Sequence, residues 1–174
     1  MRRIAAAATL LLATTVTAQD ADRSVAGGGI KVAGWMGRVD ERPAKQGKTV
    51  NDSKFEKVGN DFMLKVGPAG IFWNDASTAS GDYTVKAAFS EKAMKAQHPH
   101  SYGVFIGGND LNDETKQTFA YCIVYGTGKY SIKYFNGWKV TSAAEMVEHA
   151  AIKKADAKGD ATNEVGWRVK GGSA

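Results

Sequence analysis

The sequence predicts an all-β protein: an antiparallel jelly-roll β-sandwich with one short helical or loop segment. Three observations carry that expectation. From Trp35 onward, short apolar and β-branched runs recur between Gly, Asn, Asp and Pro. Several runs alternate with period two, which buries one face of a strand and wets the other. Helix-type composition is confined to a single stretch, Ser142–Lys158.

The chain opens with a segment that reads as an export signal. Arg2 and Arg3 supply positive charge, and residues 4–18 are apolar or small throughout. Val16-Thr17-Ala18 offers small residues for a peptidase cut that leaves Gln19 as the mature start. The run is shorter than the ~20 apolar residues of a spanning helix. The expectation is a secreted or periplasmic protein with no stable membrane insertion after cleavage. No Cys lies near the cut for lipid attachment, and the arginine pair lacks the rest of a twin-arginine pattern. Residues 19–33 are polar and then glycine-rich, a flexible lead-in with a short strand expected within Ile30–Ala33.

The remaining elements follow from periodicity. In Asp61–Val66, Phe62, Leu64 and Val66 share one face. In Tyr83–Ser90, Tyr83, Val85, Ala87 and Phe89 do so, and in Glu164–Lys170, Val165, Trp167 and Val169. Tyr102–Ile106 and Phe119–Tyr125 are apolar on both faces, as central strands are. Phe55–Val58, Ile71–Trp73, Lys129–Tyr134 and Trp138–Val140 complete the strands. Gly59-Asn60, Gly126-Thr127-Gly128 and Asn136-Gly137 read as tight turns, the last because both residues tolerate positive φ.

Charge excludes one class of function. The whole chain carries +5, and loss of Arg2 and Arg3 leaves +3, spread evenly. A nucleic-acid binder concentrates its Lys and Arg on one face, so no nucleic-acid partner is expected. The single cysteine, Cys122, lies in an apolar run, as a small packed side chain rather than a nucleophile. With one cysteine no intrachain disulfide forms, and stability rests on burial.

Catalytic and metal motifs are sparse. His98 and His100 flank Pro99, and His149 is the only other histidine. No neighbouring Asp or Glu completes a zinc spacing around the pair. The loop Asn109–Glu114 carries Asp110 and Asp113 but lacks the ligand order and glycine of an EF-hand. No metal and no cofactor is expected. The paired strand carboxylates of jelly-roll glucanases are missing, as are a Gly-x-Ser-x-Gly elbow and a phosphate loop. Aromatic side chains remain. Tyr102, Tyr121, Tyr125, Tyr134 and Trp138, with Asn136, are the ligand-binding candidates, because sugar rings present apolar faces to aromatic platforms beside amides. Trp167 alternates with Val165 and Val169 and belongs to the core.

GWMGRVDE (Gly34–Glu41), TVNDSKF (Thr49–Phe55), VGPAGIFWN (Val66–Asn74), SGDYTVKAAF (Ser80–Phe89), HPHSYGVFIGGNDL (His98–Leu111), YCIVYGTGKYSIKYFNG (Tyr121–Gly137) and ATNEVGWRVKG (Ala161–Gly171) together carry a resemblance. In their order they resemble exported proteins of the concanavalin A-like lectin/glucanase superfamily, close to the 3-keto-disaccharide hydrolase-type domain. The resemblance covers Gly34 to the C-terminus and implies a concanavalin A-like jelly roll linked to carbohydrate. It implies no catalytic set that maps onto these residues. Members of the family continue past the strand matching Glu164–Val169, so the resemblance also implies that 34–174 is an incomplete domain with an open sheet edge. The leading expectation is a noncatalytic carbohydrate-binding module. The alternatives are a glycan-processing hydrolase using His98, His100, Asp110 and Asp113, and an envelope or adhesive interaction domain.

Overall fold

The structure, a computed structural model, describes residues 24–95 and 99–171; the expected signal segment and His98 lie outside them. The described chain is an all-β sandwich. Its strands are β1 (Gly29–Lys31), β2 (Trp35–Val39), β3 (Lys54–Val58), β4 (Asp61–Lys65), β5 (Gly70–Asn74), β6 (Tyr83–Glu91), β7 (Ser101–Asn109), β8 (Thr118–Tyr125), β9 (Lys129–Asn136), β10 (Lys139–Glu148) and β11 (Ala161–Val169). They form a four-stranded sheet β10-β9-β8-β7, a three-stranded sheet β1-β3-β4, and the ribbons β11-β6 and β2-β5.

The sandwich proper is the four-stranded sheet covered by the β6–β11 ribbon. In the antiparallel ladders, paired residues share a face. One face therefore carries Tyr102, Val104, Ile106, Ala120, Cys122, Val124, Tyr130, Ile132, Tyr134 and Asn136. The ribbon packs onto this packed face. Trp167 buries its indole and donates Nε1–H to the Val104 carbonyl at 3.1 Å. Phe89 meets the Tyr102 ring at 5.3 Å, and Asn163 Nδ2 donates to the Tyr102 hydroxyl at 3.0 Å. Val165 and Trp167 are buried as their alternation predicts, each contributing roughly 1.5–3 kcal/mol. The ribbon has only two strands, and β11 lies over β7 and β8 while β6 meets β7. The β9–β10 half of the packed face is left uncovered, with Tyr134 and Val147 exposed.

The opposite, far face of the sheet holds a ring cluster. Phe119 stacks on Phe135 at 4.2 Å, and Tyr121 and Phe105 pack against this pair. The N-terminal strands build a second cluster. Phe55 lies 5.0 Å from Trp35 and 5.5 Å from both Phe62 and Phe72. Gly37 is required there, because a Cβ would strike the Phe72 ring at 2.8 Å. The reverse side of the β2–β5 ribbon carries Met36, Arg38 and Trp73. Arg38 reaches from it into the β7–β8 connection. Its Nε donates to the Leu111 carbonyl at 2.6 Å, one terminal nitrogen pairs with Glu114 at 2.7 Å, and the other donates to the buried Gln117.

Several expectations are corrected. The Ser142–Lys158 stretch is not helical. Its first half extends β10 to Glu148, and the rest is loop. Val140, Thr141 and Val147 pair with Phe135, Tyr134 and Tyr130, and these ladder bonds outweigh the helix propensity of Ala-Ala-Glu-Met. Two register shifts, between Ser142 and Ala144 and between Ala144 and Val147, absorb that segment, with Met146 at φ 52°. A short helix α1 forms instead at Glu41–Lys45. The β9–β10 loop is Gly137-Trp138 rather than Asn136-Gly137, since Asn136 already pairs with Lys139. Gly137 alone there has positive φ, 55°, as a loop with glycine first demands. Strand β7 ends the sheet rather than sitting inside it. The lead-in pairs parallel, β1 with β3, within an otherwise antiparallel set of ladders. Phe62 shares a face with Leu64 but is 51 % exposed, because β4 is an edge strand that the narrow ribbon only partly covers.

Removing the Arg38 guanidinium strands Gln117 and the half-buried Glu114. R38A is therefore expected to lower stability by about 2–4 kcal/mol in urea denaturation, with R38K recovering only part. Loss below about 0.5 kcal/mol would show that the clasp is incidental.

Candidate functional site

The candidate site lies at the end of the four-stranded sheet where the β7–β8 connection and the β9–β10 turn meet. Register builds it. Asn109 pairs with Thr118, Thr118 with Asn136, and Asn136 with Lys139, so one polar row crosses all four strands on the packed face. At the strand spacing of a sheet, the row spans roughly 14 Å. Asn109 Nδ2 is held by Thr118 Oγ1 at 3.1 Å and the Gly107 carbonyl at 3.2 Å. The next row inward runs Ala120, Tyr134, Thr141. Ala120 is small, which leaves the flank of the Tyr134 ring open, and Tyr134 is 44 % exposed.

The turn beside this platform displays Trp138, 55 % exposed. It is held in place by the Gly137 N–H, which donates to the Gln117 carbonyl at 2.8 Å. The approach is close enough that a Cβ on Gly137 would meet the Thr115 carbonyl at 2.5 Å. Gln117 is in turn held by Arg38. A chain of contacts thus runs from Arg38 of the β2–β5 ribbon through Gln117 to the turn that carries the exposed indole. The same connection lines an open cleft of about 260 Å³ with Trp73, Asp75, Asp110, Leu111 and Asp113.

Electrostatics separate the acidic groups nearby. Asp113 is fully engaged: Oδ1 accepts from the Thr115 N–H at 2.9 Å and hydroxyl at 2.6 Å, and Oδ2 pairs with Lys116 at 3.1 Å. Those Thr115 and Lys116 contacts hold its carboxyl below the ordinary range. Glu114 shifts upward, because its burial outweighs the Arg38 charge beside it. Asp110 adopts a left-handed φ of 48° at the start of the connection. Among the described residues no group of three or more His, Cys, Asp or Glu is placed to hold a metal ion.

The sequence-derived candidates separate. Tyr134 and Asn136 come together on the platform, with Trp138 in the adjoining turn. Tyr121 and Tyr125 point to the far face. Tyr121 sits in the ring cluster, where burial, with repulsion from Tyr125, Asp40 and Glu145, pushes its phenol up to about 12. Tyr102 lies between the sheet and the ribbon, its phenol raised mainly by burial. His100 precedes β7 and Asp110 follows it, so the nine-residue strand holds His100 roughly 30 Å from the Asp110–Asp113 loop. His149 follows β10, accepts from the Ala151 N–H at Nδ1 and meets Tyr130 edge-on. Cys122 is half-buried, and burial raises its thiol. No helix of the described residues is long and apolar enough to cross a membrane.

Asn109, Thr118, Lys139 and Thr141 escaped the sequence reading. For Lys139 and Thr141 the signal was the hairpin register: a Gly137-Trp138 loop pairs Asn136 with Lys139 and Tyr134 with Thr141.

Glu91 is the other group under stress. Its Oε2 is buried against the Gly126 turn with no hydrogen-bond partner among the described residues, and burial raises its carboxyl above the ordinary 4.5. A carboxyl raised on folding stabilises the fold only while protonated. That contribution is full below the unfolded value and is lost as pH rises through the folded one. E91Q and the parent are therefore expected to match in urea midpoint near pH 4, with E91Q gaining on the parent toward about pH 7. A gap that stays constant or reverses across that window contradicts the assignment.

Searches for relatives return nothing: no family model, no curated protein and no solved structure matches the chain.

Proposed function

We propose that the protein is an exported, noncatalytic carbohydrate-binding module, with its ligand laid along the polar row at the loop end of the four-stranded sheet. One observation carries the reading: an uncovered Tyr134 ring shares a face with Asn109, Thr118 and Asn136, beside a turn that displays Trp138. A pyranose needs an apolar plate for its C–H face and amides or hydroxyls for its rim, and the row supplies both. Rigid strands hold the plate, so little order is lost on binding. The sandwich architecture is compatible with the jelly roll of the concanavalin A-like lectin/glucanase resemblance and its 3-keto-disaccharide hydrolase-type branch. The signal-like sequence of residues 1–18 supports the export part of the reading.

A glycan array followed by affinity gel electrophoresis on the chain tests this. The parent should be retained by at least one polysaccharide. Y134A should weaken retention by about tenfold or more, and Y121F, on the far face, should leave it unchanged. A folded sample that no polysaccharide retains would remove the proposal.

A further inference from the structure

We infer that the glycan bound on this platform is anionic, with its carboxylate or sulfate ester seated on Lys139. The inference rests on the carbohydrate reading of the same site and adds the chemical class of the ligand. The row contains amides, hydroxyls and one cation, and no carboxylate: Asn109, Thr118, Asn136, Lys139, with Thr141 beside them. Neutral sugars, with hydroxyl donors all round, are well served by ionised Asp or Glu acceptors. This row offers amides and hydroxyls, which both donate and accept, and its one charge is the fixed positive charge of Lys139.

The local ion pairs sharpen the point. Lys133, which shares the far face with Tyr121, is paired there with Glu145 at 2.6 Å, and Lys116 is paired with Asp113 at 3.1 Å. Lys139 has no carboxylate partner among the described residues. The acid nearest to it in sequence, Glu145, is the one taken by Lys133, and Asp113 is occupied by Thr115 and Lys116. Asp110 follows Asn109, at the β7 end of the row, three strands from Lys139. The platform is therefore polarised, negative beyond β7 and positive at β10, and an acidic substituent has one place to lie. Tyr134 lies diagonally across the hairpin from Lys139, so a sugar ring on the phenol brings a ring substituent within reach of the ammonium.

The test compares retention on polygalacturonate, on a sulfated galactan and on neutral galactan, for the parent, K139Q, K57Q and Y134A. K57Q removes the same charge from the exposed end of β3 and controls for the basic character of the whole chain. Circular dichroism verifies that each variant is folded. The expected result is retention on one or both acidic polymers and little on the neutral one, weakened about three- to tenfold by K139Q, unchanged by K57Q, and weakened by added salt. Equal losses in K139Q and K57Q would mean diffuse charge attraction and overturn the inference. Retention on neutral galactan that Y134A abolishes and K139Q leaves intact would overturn the anionic ligand while keeping the platform. Retention of a folded sample on neither acidic polymer would overturn the inference, while the carbohydrate reading itself falls only if no polysaccharide of the array retains the protein.

Discussion

The unbroken ladder between β8 and β9 is the constraint on which the rest of the structure depends. Eight successive pairs, from Thr118–Asn136 to Tyr125–Lys129, run without a bulge. A one-residue slip would exchange every side chain between the two faces. Val124 and Cys122 would leave the ribbon, and Phe119 and Tyr121 would leave the ring cluster. The Phe119–Phe135 stack at 4.2 Å and the Ser131 side chain, buried under the Met146 N–H at 2.9 Å, both penalise such a slip. The flanking ladders are less regular: β7 shifts between Ile106 and Asn109, and β10 shifts twice. Irregularity is thus pushed to the sheet's edges, where it costs fewest paired groups.

Attached to this ladder are two ribbons that use side chains to bond to backbone. Trp167 places an indole N–H on the Val104 carbonyl, and Arg38 places its guanidinium on Leu111, Glu114 and Gln117. Each is a long side chain crossing from one layer to the next, with its polar end satisfied where it arrives. Burying such groups is favourable only because every donor finds an acceptor. Arg38 has a further consequence for the site. By holding Gln117, it steadies the residue whose carbonyl receives the Gly137 N–H, and so the turn that carries Trp138. Glu91, in contrast, is a polar group brought inside with one oxygen unmatched among the described residues.

The incomplete cover of the packed face links architecture to site. A two-stranded ribbon cannot cover a four-stranded sheet, and the uncovered half is where Tyr134 and Asn136 stand. The surface is open because of strand number, and polar at its end because of the row that register assembles there. The same shortage of cover leaves Val147 exposed beside Tyr130 and Ile132.

The sequence by itself determined the all-β class, most of the strand positions and the inward faces of β6 and β11. Those depend on period-two alternation, which is local: Val165 and Trp167 are buried wherever their partners come from. It also placed the turns at Gly59 and Gly126–Gly128, where chain reversal needs residues without steric cost. Tertiary structure alone decided the rest. Ala-Ala-Glu-Met became strand because β9 offered a ladder, which no local propensity records. Tyr102, Tyr121, Tyr125 and Tyr134 look alike in a linear reading, yet pairing sends two to each face and leaves only Tyr134 uncovered. The polar row has no motif, because its members lie on four strands and are neighbours only across hydrogen bonds. Periodicity says that a side chain faces inward; only the packing of one layer on another says what, if anything, lies there to meet it.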